Sequence, residues 1–317
     1  MRVAAAGLAL AVLSGPAMAQ DTIHETEQAD FRVETVATGL EFPWSMAFLP
    51  DGDMLVTERE GGLRYIDDGT LRAAPVEGLP DILVDNQGGL LGLALHPEFA
   101  ENRWVYFAYA EGTSRANHTA LARGRLSEDG ASLEGVEPLF RVNFDKQRGY
   151  HFGGRILFLD DGTLLLTLGE GAQYFEEAQN LDNHLGTIVR LNDDGTVPFD
   201  NPYVSANGAQ PEIWSYGHRN VQGIARNPQT GAIWAHEHGP RGGDEINDIR
   251  PGLNYGWPAI TYGINYNGTP VSDARAAEGM EQPLWYWVPS IAPSGMAFYE
   301  GTDKQIALPF GKFRALV

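Results

Sequence analysis

The sequence predicts an all-β fold, a β-propeller of four-stranded antiparallel blades. Helix-period patterns are scarce, and short apolar or alternating runs are bounded by Pro-Asp-Gly, Asp-Asp-Gly and Asn-Pro turns. A hairpin unit also recurs. It reads M-A-F-L-P-D-G-D-M-L-V-T-E at Met46 to Glu58 and L-A-L-H-P-E-F-A-E-N-R-W-V-Y-F-A-Y at Leu93 to Tyr109. It returns as I-L-F-L-D-D-G-T-L-L-L-T-L-G-E at Ile156 to Glu170 and I-A-R-N-P-Q-T-G-A-I-W-A-H-E at Ile224 to Glu237, and M-A-F-Y at Met296 to Tyr299 begins a fifth copy. Each complete copy is a strand, a tight turn and a second strand, and successive copies start 47 to 72 residues apart. That spacing suits propeller blades, which bury their faces only against neighbouring blades. A β-sandwich has no reason to repeat one hairpin signature.

At the start of the chain, residues 1–19 combine one basic residue, a short apolar run and A-M-A at Ala17 to Ala19. This is the layout of a secretory signal peptide, and the run is too short to span a bilayer. The expected organisation is a signal peptide over 1–19 and a single propeller domain over 20–317, exported and periplasmic where the cell has two membranes. The chain has no cysteine, so its stability does not rest on disulfides. Its 22 basic residues against 42 acidic ones give a formal charge of −20, which repels nucleic acid and anionic lipid. No later stretch approaches the length of a membrane span, so no membrane insertion is expected.

Candidate chemistry sits at equivalent places in the repeat. Gln87, Gly88 and Gly89 precede the second copy, His151, Gly153 and Gly154 the third, and Arg219 and Asn220 the fourth. Equivalent positions in successive blades line one rim of the channel, so these residues are expected to form one site. A histidine beside two glycines can act as a general base where a substrate approaches the backbone, and Glu170, one hairpin later, can orient its ring. Read alone, the same histidine also suits a hydrogen-bonded structural role. Arg219 can stabilise a developing oxyanion or clamp a carboxylate, or brace blade loops. In the fourth repeat, His236, Glu237, His238, Arg241, Asp244 and Glu245 crowd among glycines and a proline. Asp244 and Glu245 with nearby carbonyls suit calcium, the two histidines suggest zinc, and a solvated turn is the plain alternative.

Taken together, these segments resemble the soluble aldose sugar dehydrogenases of the glucose/sorbosone dehydrogenase family, quinoproteins that use pyrroloquinoline quinone (PQQ). The matching segments are G-L-E-F-P-W-S-M-A-F-L-P-D-G (Gly39 to Gly52), Q-G-G-L-L-G-L-A-L-H-P-E-F (Gln87 to Phe99) and H-F-G-G-R-I (His151 to Ile156). G-H-R-N-V-Q-G (Gly217 to Gly223), H-G-P-R-G-G-D-E-I-N (His238 to Asn247), N-Y-G-W-P (Asn254 to Pro258) and P-S-I-A-P-S-G-M-A-F-Y (Pro289 to Tyr299) complete the set.

The resemblance implies a six-bladed propeller, apparently truncated at the C-terminus, with the last blade or more missing. It implies oxidation of aldoses at C1 to lactones, His151 acting as general base with Glu170 orienting its ring. Arg219 would stabilise charge growing on the quinone, and Gln87, Asn220 and Tyr266 would contact the cofactor. Carbonyls of Gly239 and Pro240 would ligate a calcium ion that polarises the quinone, while Glu245, the Tyr255 carbonyl and Asp244 would hold a second, structural calcium. The implied partners are a small-molecule aldose and an electron acceptor that the sequence does not name, in a monomer or homodimer. The competing readings are a calcium-dependent propeller lactonase and a non-catalytic propeller binding module.

Overall fold

The recurring hairpin folds as the first two strands of each of four blades. The structure is a computed structural model that describes residues 23–25, 31–32, 35–298 and 315–316. The expected signal peptide, residues 1–19, the start of the domain at residue 20, and Tyr299 lie outside the described residues. Ahead of the blades, β1 (Ile23–His24) pairs with β2 (Phe31–Arg32). Blade 1 is β3 (Pro43–Phe48), β4 (Met54–Glu58), β5 (Gly62–Asp67) and β6 (Thr70–Leu71). Blade 2 is β7 (Leu90–Leu95), β8 (Trp104–Thr113), β9 (Ala116–Leu126) and β10 (Leu133–Arg141), with one helical turn, α1 (Phe99–Asn102), joining its first two strands. Blade 3 is β11 (Ile156–Phe158), β12 (Leu164–Thr167), β13 (Thr187–Leu191) and β14 (Ile213–Tyr216). Blade 4 is β15 (Val221–Arg226), β16 (Ile233–Glu237), β17 (Asp244–Ile249) and β18 (Trp285–Trp287). Every blade is an antiparallel meander in chain order.

The all-β propeller is borne out, but its expected size is corrected. Among the described residues there are four four-stranded blades, not six. The number six came from resemblance, whereas the sequence holds four complete copies of the hairpin, and each of them makes one blade. The fifth signature yields only β19 (Ala297–Phe298), paired with β20 (Ala315–Leu316). With the four blades accounting for the four complete copies, the expected truncation is likewise not supported.

The core lies between blades, and the period-two alternation of the strands builds it. In β12, Leu164 and Leu166 pack toward blade 2 with Tyr106 and Leu121, while Leu165 packs toward blade 4 with Val221 and Ala235. All three leucines are fully buried, and each contributes roughly 1.5–3 kcal/mol relative to exposure. Blade 1 meets blade 2 through Leu55, Leu63, Leu90, Val105 and Phe107. Buried threonines stitch the junctions. Thr57 Oγ1 donates to Leu91 O at 2.7 Å, Thr119 Oγ1 to Phe152 O at 2.7 Å, and Thr167 Oγ1 to Val221 O at 3.1 Å. Each hydroxyl crosses from one blade to the chain entering the next. The entry segments, which carry the candidate residues, are thereby fixed to the preceding blade.

Candidate active site

The loops before β7, β11 and β15, and those after β12 and β16, emerge at one end of the blades. This places Gln87, His151, Glu170, Arg219, Asn220 and the 238–243 loop on one rim. His151 adopts a left-handed backbone with φ 46°, followed by Gly153 at φ 63°. A Cβ at Gly153 would stand 2.5 Å from Thr167 O, so only glycine lets this turn close onto the end of β12. The Gln87 side-chain carbonyl accepts the His151 N–H at 2.9 Å, joining the blade 2 entry to the blade 3 entry.

His151 and Glu170 are paired. His151 Nδ1 lies 3.0 Å from Glu170 Oε1, with His151 buried and Glu170 completely enclosed. The second oxygen, Oε2, accepts the Ala172 N–H. A carboxylate can only accept here, so Nδ1 carries the proton and Nε2 keeps its lone pair. Burial presses the His151 pKa below the usual imidazole value; Glu170 pushes it up, and the charges of Arg219 and Lys146 add to the lowering. The result is a neutral, oriented imidazole, which is the form a general base requires.

Arg219 completes the cluster. Its Nε stands 3.9 Å from Glu170 Oε1 and has no hydrogen-bond partner among the described residues. Its Nη1 donates to His238 O at 2.9 Å and Gly239 O at 2.8 Å, and its guanidinium lies 5.3 Å from the Trp257 ring centroid. The main chain is pinned from both sides: Glu170 N donates to Arg219 O at 3.0 Å, and Arg219 N donates to Glu237 Oε2 at 2.6 Å. Asn220 Oδ1 accepts from Gly153 N at 3.2 Å and Gln222 Nε2 at 3.1 Å, which ties it to the His151 turn.

The loop between β16 and β17 is a backbone cradle. A Cβ on Gly239 would stand 2.2 Å from Gly242 O, and Gly242 and Gly243 both have positive φ. Asp244 is fully buried, and hydrogen bonds occupy its carboxylate. Oδ1 accepts Gly239 N at 2.9 Å, and Oδ2 accepts Ser290 Oγ at 2.6 Å and the N–H groups of Ile291 and Ala292 at 2.7 Å each. It anchors the loop. Beside it, Arg219, Glu237, Gly239, Gly243, Glu245, Tyr255 and Trp257 surround a cavity with room for about one water-sized body. Asn247 Nδ2 bridges its two carboxylates, at 3.2 Å from Glu237 Oε1 and 3.3 Å from Glu245 Oε2. Burial, and then the charge of Glu237, push the Glu245 pKa up to about 8. Two facing carboxylates, a carbonyl-lined turn and a space of ionic size form an oxygen-rich donor set suited to calcium. The orphaned Arg219 Nε and Trp257 Nε1 are donors suited to an anionic, carbonyl-bearing cofactor.

Other expected residues do not converge. Tyr266 is 74% exposed, although its segment runs beside the loop through the reciprocal Arg241–Ile264 backbone bonds. His236 and His238 point to different surroundings. The His236 ring lies against Gly223, and His238 Nε2 meets Pro293 O at 2.6 Å. Among the described residues no three acidic or histidine side chains form a metal cluster. Tyr255 uses its hydroxyl on Asp248 O at 2.6 Å, and its ring stacks on His218 at 4.7 Å. Sequence reading gave no role to His218, whose Nδ1 lies 2.9 Å from Glu237 Oε1 and Nε2 2.9 Å from Ser215 Oγ. This second His–Glu pair is buried and braces the carboxylate that holds Arg219. Its signal was the H-R of Gly217 to Asn220, one residue from the feature that drew notice.

Fold and site together define a β-propeller protein with a buried base–carboxylate pair, a cation and a carbonyl-lined loop on one rim. The chain belongs to the glucose/sorbosone dehydrogenase family, whose sequence profile matches residues 40–308. It is 46% identical over 280 residues to aldose sugar dehydrogenase YliI of Escherichia coli, spanning 87% of this chain and 75% of that protein. The crystal structure of the soluble aldose sugar dehydrogenase from Escherichia coli in the apo-form superposes with a TM-score of 0.82 at 46% identity, covering 85% of this chain and 78% of that one. The PQQ-bound form of aldose sugar dehydrogenase from Streptomyces coelicolor superposes with a TM-score of 0.71 at 33% identity, covering 85% and 75%.

Proposed function

We propose that this chain is an exported, PQQ- and calcium-dependent dehydrogenase that oxidises aldoses at C1 to lactones. The observation that carries this reading is the buried His151–Glu170 pair with Arg219 beside it. The relatives named above support the sugar chemistry and the quinone. When bound, the quinone supplies the hydride acceptor and calcium a Lewis acid.

The chain's own residues then act as follows. His151 Nε2 takes the proton of the sugar C1 hydroxyl while C1 gives up its hydride, leaving the lactone. Glu170 holds the Nδ1–H and stabilises the imidazolium as it forms. Arg219 offers positive charge and a free Nε–H where negative charge accumulates, in a site shielded from water. Gln87 and Asn220 fix the turn that aims His151, and they would contact the cofactor. Gly239 and Pro240 would present carbonyls to one calcium, and Glu245 with the Tyr255 carbonyl would hold another. Asp244, whose carboxylate is occupied, is reassigned from ligand to loop anchor. Tyr266 reaches the cofactor only if its exposed segment folds in. A tricarboxylate also needs local cations in a protein of formal charge −20, and Arg219 with calcium provides them.

The test is to add PQQ and calcium to the purified protein and follow dye reduction with a panel of aldoses. Aldose-dependent reduction that disappears in His151→Ala supports the proposal; no reduction with any aldose rejects it. Export is checked by mass spectrometry of the periplasmic protein, with a mature N-terminus expected at Gln20.

A further inference from the structure

We infer that Lys146 is a positioning residue for the His151–Glu170 pair: it holds the Tyr150–Phe152 turn from within and brings a second positive charge, beside that of Arg219, to Glu170. The inference rests on the proton-abstracting role proposed for His151. Lys146 is 1% exposed, and its own backbone is fixed to β9 by two 2.9 Å hydrogen bonds with Asn117. Its Nζ donates to Tyr150 O at 2.6 Å and sits 3.0 Å from the centroid of the Phe152 ring. These are the residues on either side of His151. Its stem packs on the turn that follows Glu170, where a Cβ on Gly171 would meet Lys146 Cδ at 2.9 Å. One side chain therefore touches the flanks of both partners in the pair.

No carboxylate stands within ion-pair distance of Lys146 among the described residues. Burial presses its pKa well below the usual lysine value, and the charges of Glu170 and Asp85 push it back up. The charged groups facing His151 are Glu170, Arg219 and Lys146, and the two cations both lower the imidazole's affinity for a proton. A lysine serving only as filler would not need to be charged; one that tunes the pair must be.

The experiment uses cofactor-free protein, so it does not depend on dehydrogenase activity. The His151 ring is titrated by NMR in the parent, in Lys146→Met and in the charge-preserving Lys146→Arg. The expected result is a His151 midpoint about 1 pH unit higher in Lys146→Met and a smaller change in Lys146→Arg. An unmoved midpoint in folded Lys146→Met overturns the inference. The Lys146 Cε shift in the parent decides the matter should the variants not fold: an ammonium at the pH where His151 titrates sustains it, and a neutral amine overturns it. A shifted midpoint in a protein that oxidises no aldose would reject the dehydrogenase reading and leave this one standing.

Discussion

His151 Nδ1 and Glu170 Oε1 are 3.0 Å apart, and the carboxylate is shut off from solvent. The two residues come from opposite ends of one hairpin, so the pair forms only when β11 and β12 register as Ile156 opposite Leu166. Replacing Glu170 with Gln keeps the shape but removes the charge that stabilises the imidazolium. In the loaded enzyme, kcat should fall about 10²-fold, with KM for the aldose little changed. Stopped-flow measurement of the reductive half-reaction checks this. A comparable rise in KM would assign Glu170 to substrate binding instead.

The pH dependence follows from the direction of the His151 shift. Its folded pKa lies below the unfolded value of 6.5, mainly because burial disfavours the charged ring. The base form therefore persists as pH falls through 6.5, and the acid limb of kcat/KM should have its midpoint below that value. The unfolded chain binds this proton more readily than the folded one. The stability tied to His151 is thus complete above pH 6.5 and is lost as pH falls from there toward the folded pKa. An acid-limb midpoint above 6.5 would contradict the burial seen here.

Much of this was legible in the sequence because the hairpin repeats. The Asp-Gly and Asn-Pro turns mark the strand pairs, and similar offsets before each copy, 6 residues for Gln87 and 5 for His151 and Arg219, bring them to one rim. The blade count was not legible through resemblance, since only a complete hairpin makes a blade and Met296 to Phe298 contributes two residues of strand. Asp244 looked like a ligand because a carboxylate in a glycine-rich loop has that composition. Whether it binds an ion or four loop donors depends on where Ser290, Ile291 and Ala292 return in space. Lys146 was invisible for a similar reason. Nothing in D-K-Q-R distinguishes a solvated lysine from one enclosed between Phe152 and Gly171.

Gly169 tests how tightly the blade 3 hairpin supports its histidine. A Cβ there would stand 2.3 Å from His151 O and 2.9 Å from Asn220 Oδ1. Gly169→Ala must therefore displace the His151 turn, the bridge to Asn220, or both. The expected cost is about 1–3 kcal/mol in stability, from overpacking. Turnover should fall further than stability, because the base loses its aim. Denaturant unfolding and kcat measured on the same preparation separate the two. A variant of parental stability and activity would show that the close approach is not needed.

Removing calcium should expose the strain between Glu237 and Glu245. Both carboxylates line one small cavity, and the Glu245 pKa is pushed up to about 8 by burial and by Glu237. A cation that bound there only in the folded form would stabilise it by about 2.7 kcal/mol at a hundredfold excess over Kd. Chelation should then lower Tm by roughly 5 °C at neutral pH. Glu245→Gln makes the argument two-sided. With calcium present the variant should be less stable than the parent, having lost a ligand. After chelation the order should invert, since at neutral pH the parent must take up a proton to bury Glu245, well above the ordinary carboxylate pKa, a cost the neutral amide does not carry. Scanning calorimetry of both proteins with and without chelator gives the four values needed. An equal Tm loss in parent and variant would place the ion away from Glu245, at the carbonyls of Gly239 and Pro240 alone.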